Sequence, residues 1–233
     1  MKFSLVIPCY NEAANLPLLL EHCRKLTEQP DVEVVLVDNG STDESPTVLR
    51  NFLPSYPGCR SVRVEQNQGY GFGILTGLKA ASGDILGWTH ADMQTDPIDA
   101  LQGIKIFEEH GPDIFVKGRR HGRPFGDVAF TVGMSLFETL LLGKPLWDIN
   151  AQPTMFSRQF FESWREPPHD FSLDLYAYYQ AKRAGLPVHR FPVRFGERAH
   201  GVSHWNVNWA AKRKFIRRTV DFSLQLRKKG KEE

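Results

Sequence analysis

Cysteine is scarce in this chain of 233 residues: Cys9, Cys23 and Cys59 form no CxxC pair and leave an odd thiol. That excludes a disulfide framework and a zinc-ribbon pattern, and it fits a reducing compartment. An uninterrupted apolar run of about 20 residues, the length of a bilayer-spanning helix, is also missing, so no spanning segment is expected. The apolar run at residues 3–7 is too short for a signal peptide and flows directly into structure. A cytoplasmic protein is expected, with attachment to the inner face of a membrane left open. There are no internal repeats and no low-complexity linker. No GxxxxGK[ST] phosphate loop occurs, and Pro8-Cys9-Tyr10-Asn11-Glu12 stands where a dinucleotide fold would carry GxGxxG.

What is present is ordinary in bulk and uneven in detail. A hydrophobic content of 41% and a charged content of 24% suit a soluble globular domain with a full core. The net charge is only +2, yet the segment from Lys212 to the end carries nine Lys/Arg against three Asp/Glu. The expected division is a domain over residues 1–205 and a basic amphipathic helix and tail over 206–233.

Apolar runs at residues 3–7, 32–37, 62–65, 85–88, 113–117, 154–157 and 187–195 read as strands. Between them lie helical patterns, including one after Asn15 as cap, a short one at 47–52, and others at 71–81, 97–110, 128–142 and 173–184. Short apolar strands alternating with helices predict an α/β protein with a mainly parallel sheet and flanking helices. Ligands in such sheets bind beyond the carboxyl ends of the strands. Four successive strand ends carry polar clusters there: Asn11/Glu12, Asp38 to Asp43, Gln66/Asn67 and His90 to Gln94.

The last cluster is the most chemical. Read as extended chain, His90, Asp92 and Gln94 alternate onto one side, where a carboxylate, an imidazole and an amide oxygen suit a divalent metal. The other reading is a turn in which Asp92 or Asp96 caps the helix that opens at Pro97. Gly69-Tyr70-Gly71-Phe72-Gly73 marks either a ligand-facing loop or close helix–sheet packing. The run Lys117-Gly118-Arg119-Arg120-His121-Gly122-Arg123 reads as a basic loop, either solvated or facing a diphosphate.

These residues carry a family resemblance. Leu5-Val6-Ile7-Pro8-Cys9-Tyr10-Asn11-Glu12 resembles the V-I-P-x-Y-N-E opening of the family 2 glycosyltransferases, and Val37-Asp38-Asn39-Gly40-Ser41-Thr42-Asp43 their V-D-[DN]-G-S-x-D. Asn67-Gln68-Gly69-Tyr70-Gly71 is similar to N-x-G-x-G. His90-Ala91-Asp92-Met93-Gln94-Thr95-Asp96-Pro97 resembles D-A-D-L-Q-x-x-P of the dolichol-phosphate mannose synthase-like, polyprenyl-phosphate members. The resemblance spans roughly residues 3–205, more weakly beyond Asp148. It implies a GT-A fold, and an inverting transfer from a nucleotide-sugar donor, GDP- or UDP-linked, to a polyprenyl phosphate or glycan acceptor. Pro8, Tyr10, Asn11, Glu12, Asp38, Asn67 and Gly69 would then serve the donor nucleotide. Asp92, with Gln94 and His90, would serve a divalent metal, Mg²⁺ or Mn²⁺. Arg119, Arg198 and Asp174 would serve the transfer itself.

Two departures stand out: His90 replaces the first aspartate of the D-x-D pattern, and His204 replaces the lysine of R-x-x-G-x-S-K. They motivate an alternative, a non-catalytic sugar-nucleotide-binding protein of the same fold. Asp174 is the natural base if the acceptor is a saccharide hydroxyl; with a phosphate acceptor no base is required, and it orients the site or caps its helix. Asp170 is its nearest competitor. The segment 206–227 reads as a basic amphipathic helix suited to an anionic membrane surface, or as a packed helix with a solvated face. Nucleic acid is not expected as a partner, because the strand-end acids repel phosphate backbones.

Overall fold

The computed structural model describes residues 1–198 and 209–232. One seven-stranded sheet runs in the order β3-β2-β1-β4-β6-β5-β7. Its strands are β1 (Phe3–Cys9), β2 (Val32–Asn39), β3 (Cys59–Val64), β4 (Ile85–Trp88), β5 (Phe115–His121), β6 (Thr154–Ser157) and β7 (Val188–Arg194). The helices are α1 (Leu16–Thr27), α2 (Ser45–Phe52), α3 (Tyr70–Ala80), α4 (Ala100–His110), α5 (Phe125–Leu142), α6 (Arg158–Glu162), α7 (Leu173–Arg183) and α8 (Trp209–Glu232). Strand β1 pairs in parallel with β2 and β4, β2 with β3, and β5 with β7, while β6 runs antiparallel to both β4 and β5. The expected α/β architecture with a mainly parallel sheet is what forms.

The central strands β1, β2 and β4 are mainly apolar and buried because both faces of the sheet are covered there. Along β1, Phe3, Leu5 and Ile7 join Leu16, Leu19 and Leu20 of α1 and Phe107 of α4 in one core. Val6 turns the other way, to Ile74 and Leu78 of α3, Trp88 of β4 and Leu173 and Ala177 of α7. Helix α3 lies so close to the sheet that a Cβ on Gly77 would sit 2.3 Å from Val6 Cγ1 and 2.7 Å from Val37 Cγ2. After β3 the chain returns across β1 to lay down β4. The carboxyl ends of β1 and β4 therefore flank a point where the winding direction reverses, the place where α/β sheets open a ligand crevice.

Three expectations need correction. Residues 117–121 are strand, not loop: β5 continues to His121, paired with β7 as far as His121↔Arg194. Asn15 does not cap α1 with its side chain; it donates instead to Glu12 Oε2 at 2.5 Å. The stretch after β4 is not extended, because Met93 takes φ +58° and turns the chain. Helix α5 is, by length and composition, apolar enough to cross a membrane, although Asp127, Thr131, Ser135 and Glu138 interrupt its apolar run. His204 and the rest of 199–208 lie outside the described residues.

Candidate functional site

The exits of β1 and β2 are knitted together by the polar residues that mark them. Asn11, at φ +56°, donates its N–H to Ser41 Oγ at 3.1 Å, and its Oδ1 accepts from the Thr42 N–H at 2.9 Å. Glu12 N–H donates to Ser45 Oγ at 2.9 Å, and Ala13 N–H to Asp43 Oδ2 at 3.2 Å. Asp38 is 3% exposed. Its Oδ1 accepts from Ser41 N–H at 3.0 Å, and its Oδ2 accepts from Arg63 Nη1 at 2.6 Å. Asp38 and Asn11 therefore shape the rim, Pro8 stays within the sheet opposite Val37, and Tyr10 stands exposed at the mouth. Arg63 was not marked by any sequence pattern: only the pairing of β3 with β2 brings it to Asp38.

The exit of β4 supplies the charge. The turn at Met93 lets Asp92 Oδ1 accept from Gln94 N–H at 3.1 Å, and it directs Oδ2 to Arg198 Nη2 at 3.0 Å. Asp92 is buried, at 7% exposure. Gln94 donates its side-chain amide to Gly196 O at 3.2 Å, and Gly196 N–H returns to Gln94 O at 2.8 Å. That pair of bonds brings the segment carrying Arg198 over Asp92. Glu12 completes the group: burial pushes its carboxyl above the ordinary range, the Asn15 amide opposes this, and Asp92 adds to the rise. The turn reading holds on one of its two candidates: Asp96, not Asp92, caps the next helical turn by accepting from Ile98 N–H at 3.0 Å, and it pairs with His22 at 2.9 Å.

His90 belongs to an aromatic column. Its ring stacks on Tyr70 at 5.5 Å and 24°, Tyr70 stacks on Phe171 at 4.5 Å and 10°, and the Arg218 guanidinium of α8 lies 5.6 Å from the Phe171 ring. Tyr70 reaches this place through its glycines. Gly69 has φ +112°, its N–H is held by Asn67 Oδ1 at 2.8 Å, and a Cβ there would sit 2.4 Å from His169 O. The glycine-rich segment thus packs two ways, on the sheet at Gly77 and on the 168–170 backbone at Gly69.

Asp174 opens α7 but does not face solvent; it is 2% exposed. Its Oδ1 accepts from Gln152 Nε2 at 2.5 Å and lies 3.9 Å from Lys117 Nζ. Lys117 is fully buried and donates to Ala151 O and Thr154 Oγ1, each at 2.7 Å. Burial pulls its pKa down to about 7 against the opposing pull of Asp174. The neighbouring Tyr70 phenol is driven well above its usual value by burial, with Asp174 and Asp92 adding to it. Of the basic run, Arg120 is tied to Asp148, while Arg119 is exposed. Asp170 pairs with Arg218 at 3.1 Å. A groove of about 560 Å³ lies between α8 and residues 168–172, lined by His169, Asp170, Arg217 and Arg218 among others.

Among the described residues, no three His, Cys, Asp or Glu side chains converge as a cage for a cation. Asp92, at 7% exposure, offers a buried carboxylate beside the crevice. A carboxylate there is a donor that could hold a Mg²⁺ or Mn²⁺ ion.

A mostly parallel α/β sheet with this crevice is a GT-A glycosyltransferase fold. It aligns with the mannosyltransferase PcManGT from Pyrobaculum calidifontis in complex with GDP-Man and Mn²⁺, with a TM-score of 0.65, 21% identity, and coverage of 86% of this chain and 58% of that one. It also aligns with glucosyl-3-phosphoglycerate synthase from Mycobacterium tuberculosis in complex with Mn²⁺, UDP and glucosyl-3-phosphoglycerate, with a TM-score of 0.71, 22% identity, and coverage of 97% and 79%. At these identities the likeness establishes the fold. Residues 4–164 match the model of Glycosyl transferase family 2, and the chain belongs to that family. It is similar to the undecaprenyl-phosphate 4-deoxy-4-formamido-L-arabinose transferases of Serratia proteamaculans, 33% identical over 170 residues, and Yersinia enterocolitica, 36% over 172. These alignments cover 70% of this chain and 51% and 50% of the relatives, so the chain spans about half their length.

Proposed function

We propose that the protein is an inverting glycosyltransferase that moves a sugar from a nucleoside diphosphate to a polyprenyl phosphate at a membrane surface on its cytoplasmic side. The observation that carries this reading is the meeting of Asp92, Arg198 and Glu12 at the β1/β4 crevice. Relatives whose names specify undecaprenyl phosphate as acceptor support it. The nucleoside lies along the rim made by Pro8, Tyr10, Asn11, Glu12, Asp38, Asn67 and Gly69. A divalent cation held by Asp92, when bound, neutralises the charge that builds on the departing diphosphate. Gln94 keeps the Arg198 segment in place, and Arg198 presents a second positive charge to the same oxygens. His90 supports the site as a stacked ring.

The acceptor phosphate oxygen forms its bond to the sugar C1 from the face opposite the diphosphate, whose bond to C1 breaks, and the configuration inverts. That oxygen is already ionised, so no base is needed. This agrees with an Asp174 that is buried and engaged by Gln152, which makes it a positioning residue. Arg119, exposed near the end of β5, receives the acceptor phosphate. The exposed basic residues of α8 favour contact with the anionic inner face of a membrane.

A thermal-shift series with UDP and GDP, each with and without Mn²⁺ or Mg²⁺, tests the donor half. One diphosphate is expected to stabilise the protein in a metal-dependent way that Asp92→Ala removes. Transfer from the matching sugar nucleotide to undecaprenyl phosphate then tests the acceptor. A flat series sinks the reading.

A further inference from the structure

Helix α5 is built inside out. Its buried residues are Ser135, Glu138 and Leu142, whereas Phe125 is 87% exposed, Leu136 57% and Leu140 75%. A surface helix of a soluble domain turns its apolar stripe to the core and its polar residues to water. Here Glu138 is fully buried and accepts from Ser223 Oγ of α8 at 2.8 Å, and Ser135 Oγ accepts from the Asp148 N–H at 3.1 Å. Ser135 and Glu138, with Leu142, hold the helix to the domain, and most of its large apolar side chains are left outside. A contiguous exposed apolar face of this kind marks an interaction site.

The topology decides how such a helix meets a bilayer. The strands on either side of it, β5 and β6, are hydrogen-bonded neighbours, with Val116 opposite Met155. A helix that crossed the membrane would put those two strands on opposite sides. The return segment also runs back along the helix, with Leu146 N–H donating to Thr139 Oγ1 at 3.0 Å. The helix therefore lies flat on the domain. Beside it α8 exposes Arg217, Arg227, Lys228 and Lys229, charges that match anionic headgroups.

We propose that α5 is an in-plane membrane-insertion helix: its outward face, centred on Leu136 and Leu140, sinks into the acyl boundary of an anionic phospholipid surface while α8 meets the headgroups. Insertion thus belongs to α5, and α8 supplies charge. The proposal shares the membrane setting of the function above but stands on the helix itself, so it survives even if the sugar chemistry is different.

Sedimentation of the full chain with phosphatidylcholine vesicles, with and without phosphatidylglycerol, tests it. Binding is expected to the anionic vesicles and to be weaker on neutral ones. Leu136→Glu with Leu140→Glu is expected to weaken it about a hundredfold, two buried leucines at about tenfold each, with an unchanged circular dichroism spectrum. Leu140→Cys in a Cys59→Ser background, carrying an environment-sensitive dye, is expected to blue-shift on vesicles. Full vesicle binding by the double variant, or no blue shift, overturns the proposal. A dimer that the same substitutions dissolve, with no vesicle binding, overturns it in favour of a second copy on this face. Lost vesicle binding with intact nucleotide binding would remove the surface and leave the donor reading standing; the reverse result would do the opposite.

Discussion

Arg198 Nη2 lies 3.0 Å from Asp92 Oδ2, so the carboxylate at the end of β4 is already neutralised by a side chain from beyond β7. A cation that binds Asp92 has to compete with that guanidinium. Arg198→Ala is expected to tighten Mn²⁺ binding by the free protein about tenfold, the strength of one charge-assisted pair. Turnover is expected to fall in the same variant, because the charge facing the diphosphate is gone. Titration calorimetry with Mn²⁺ and an initial-rate assay read the two effects; equal metal affinity in both proteins would mean that Arg198 does not guard the carboxylate.

His90 stacks on Tyr70, and its ring geometry is that of a packing residue. His90→Phe is expected to keep metal-dependent nucleotide binding within about threefold. His90→Ala is expected to lower stability by about 1 kcal/mol, the scale of one aromatic pair. A collapse of Mn²⁺ affinity in the phenylalanine variant would identify His90 as a ligand.

The buried Lys117 and Asp174 are tied in one network. Lys117→Met leaves the carboxylate without its cation and is expected to cost about 3 kcal/mol near pH 6, with most of it recovered by adding Asp174→Asn. The pH dependence has a definite sign. Folded Lys117 loses its proton near pH 7, whereas in the unfolded chain it holds it to about 10.4. Between those values the unfolded state binds more protons, so the burial penalty is full below about pH 7 and eases as pH rises. Urea unfolding is expected to show a rise in stability from about pH 7 to about pH 10 that Lys117→Met flattens.

Glu138 titrates in the opposite sense. Burial raises its pKa from 4.5 to about 7, with the Ser223 bond opposing. The folded state then holds a proton that the unfolded state has released, so this contribution is full below pH 4.5 and is lost as pH rises through about 7. Glu138→Gln keeps the neutral shape and is expected to be more stable than the parent above about pH 7, by about 1 kcal/mol. Thermal melts across that range check it; parallel curves for the two proteins would show that Glu138 is ionised in the fold.

Much of this was legible in the chain. Residues 3–7 and 32–37 read as strands because apolar residues dominate them, with Ser4 and Glu33 the only polar interruptions, and the sheet buries both their faces. The four polar clusters were correctly placed at strand ends, since ligand edges and strand termini coincide in such sheets. Lys117 was placed both at the end of a strand and at the start of a basic loop, and its burial was not legible because Ala151, Thr154 and Asp174, which make it tolerable, arrive from later in the chain. Helix α5 was legible as a helix but not as an inverted one, because apolar residues carry no mark of which way they face.

Local physics thus settled the elements: apolar runs, glycines at Gly69 and Gly77, and the motif order that places the chain in its family. Tertiary structure decided the partners. Asp38 meets Arg63 because β2 and β3 are laid side by side, and Asp92 meets Arg198 and His90 meets Tyr70 because the fold brings segments distant in sequence to the same edge of the sheet. Charge and stacking act across a few ångströms of space, and the order of residues along the chain does not specify those distances.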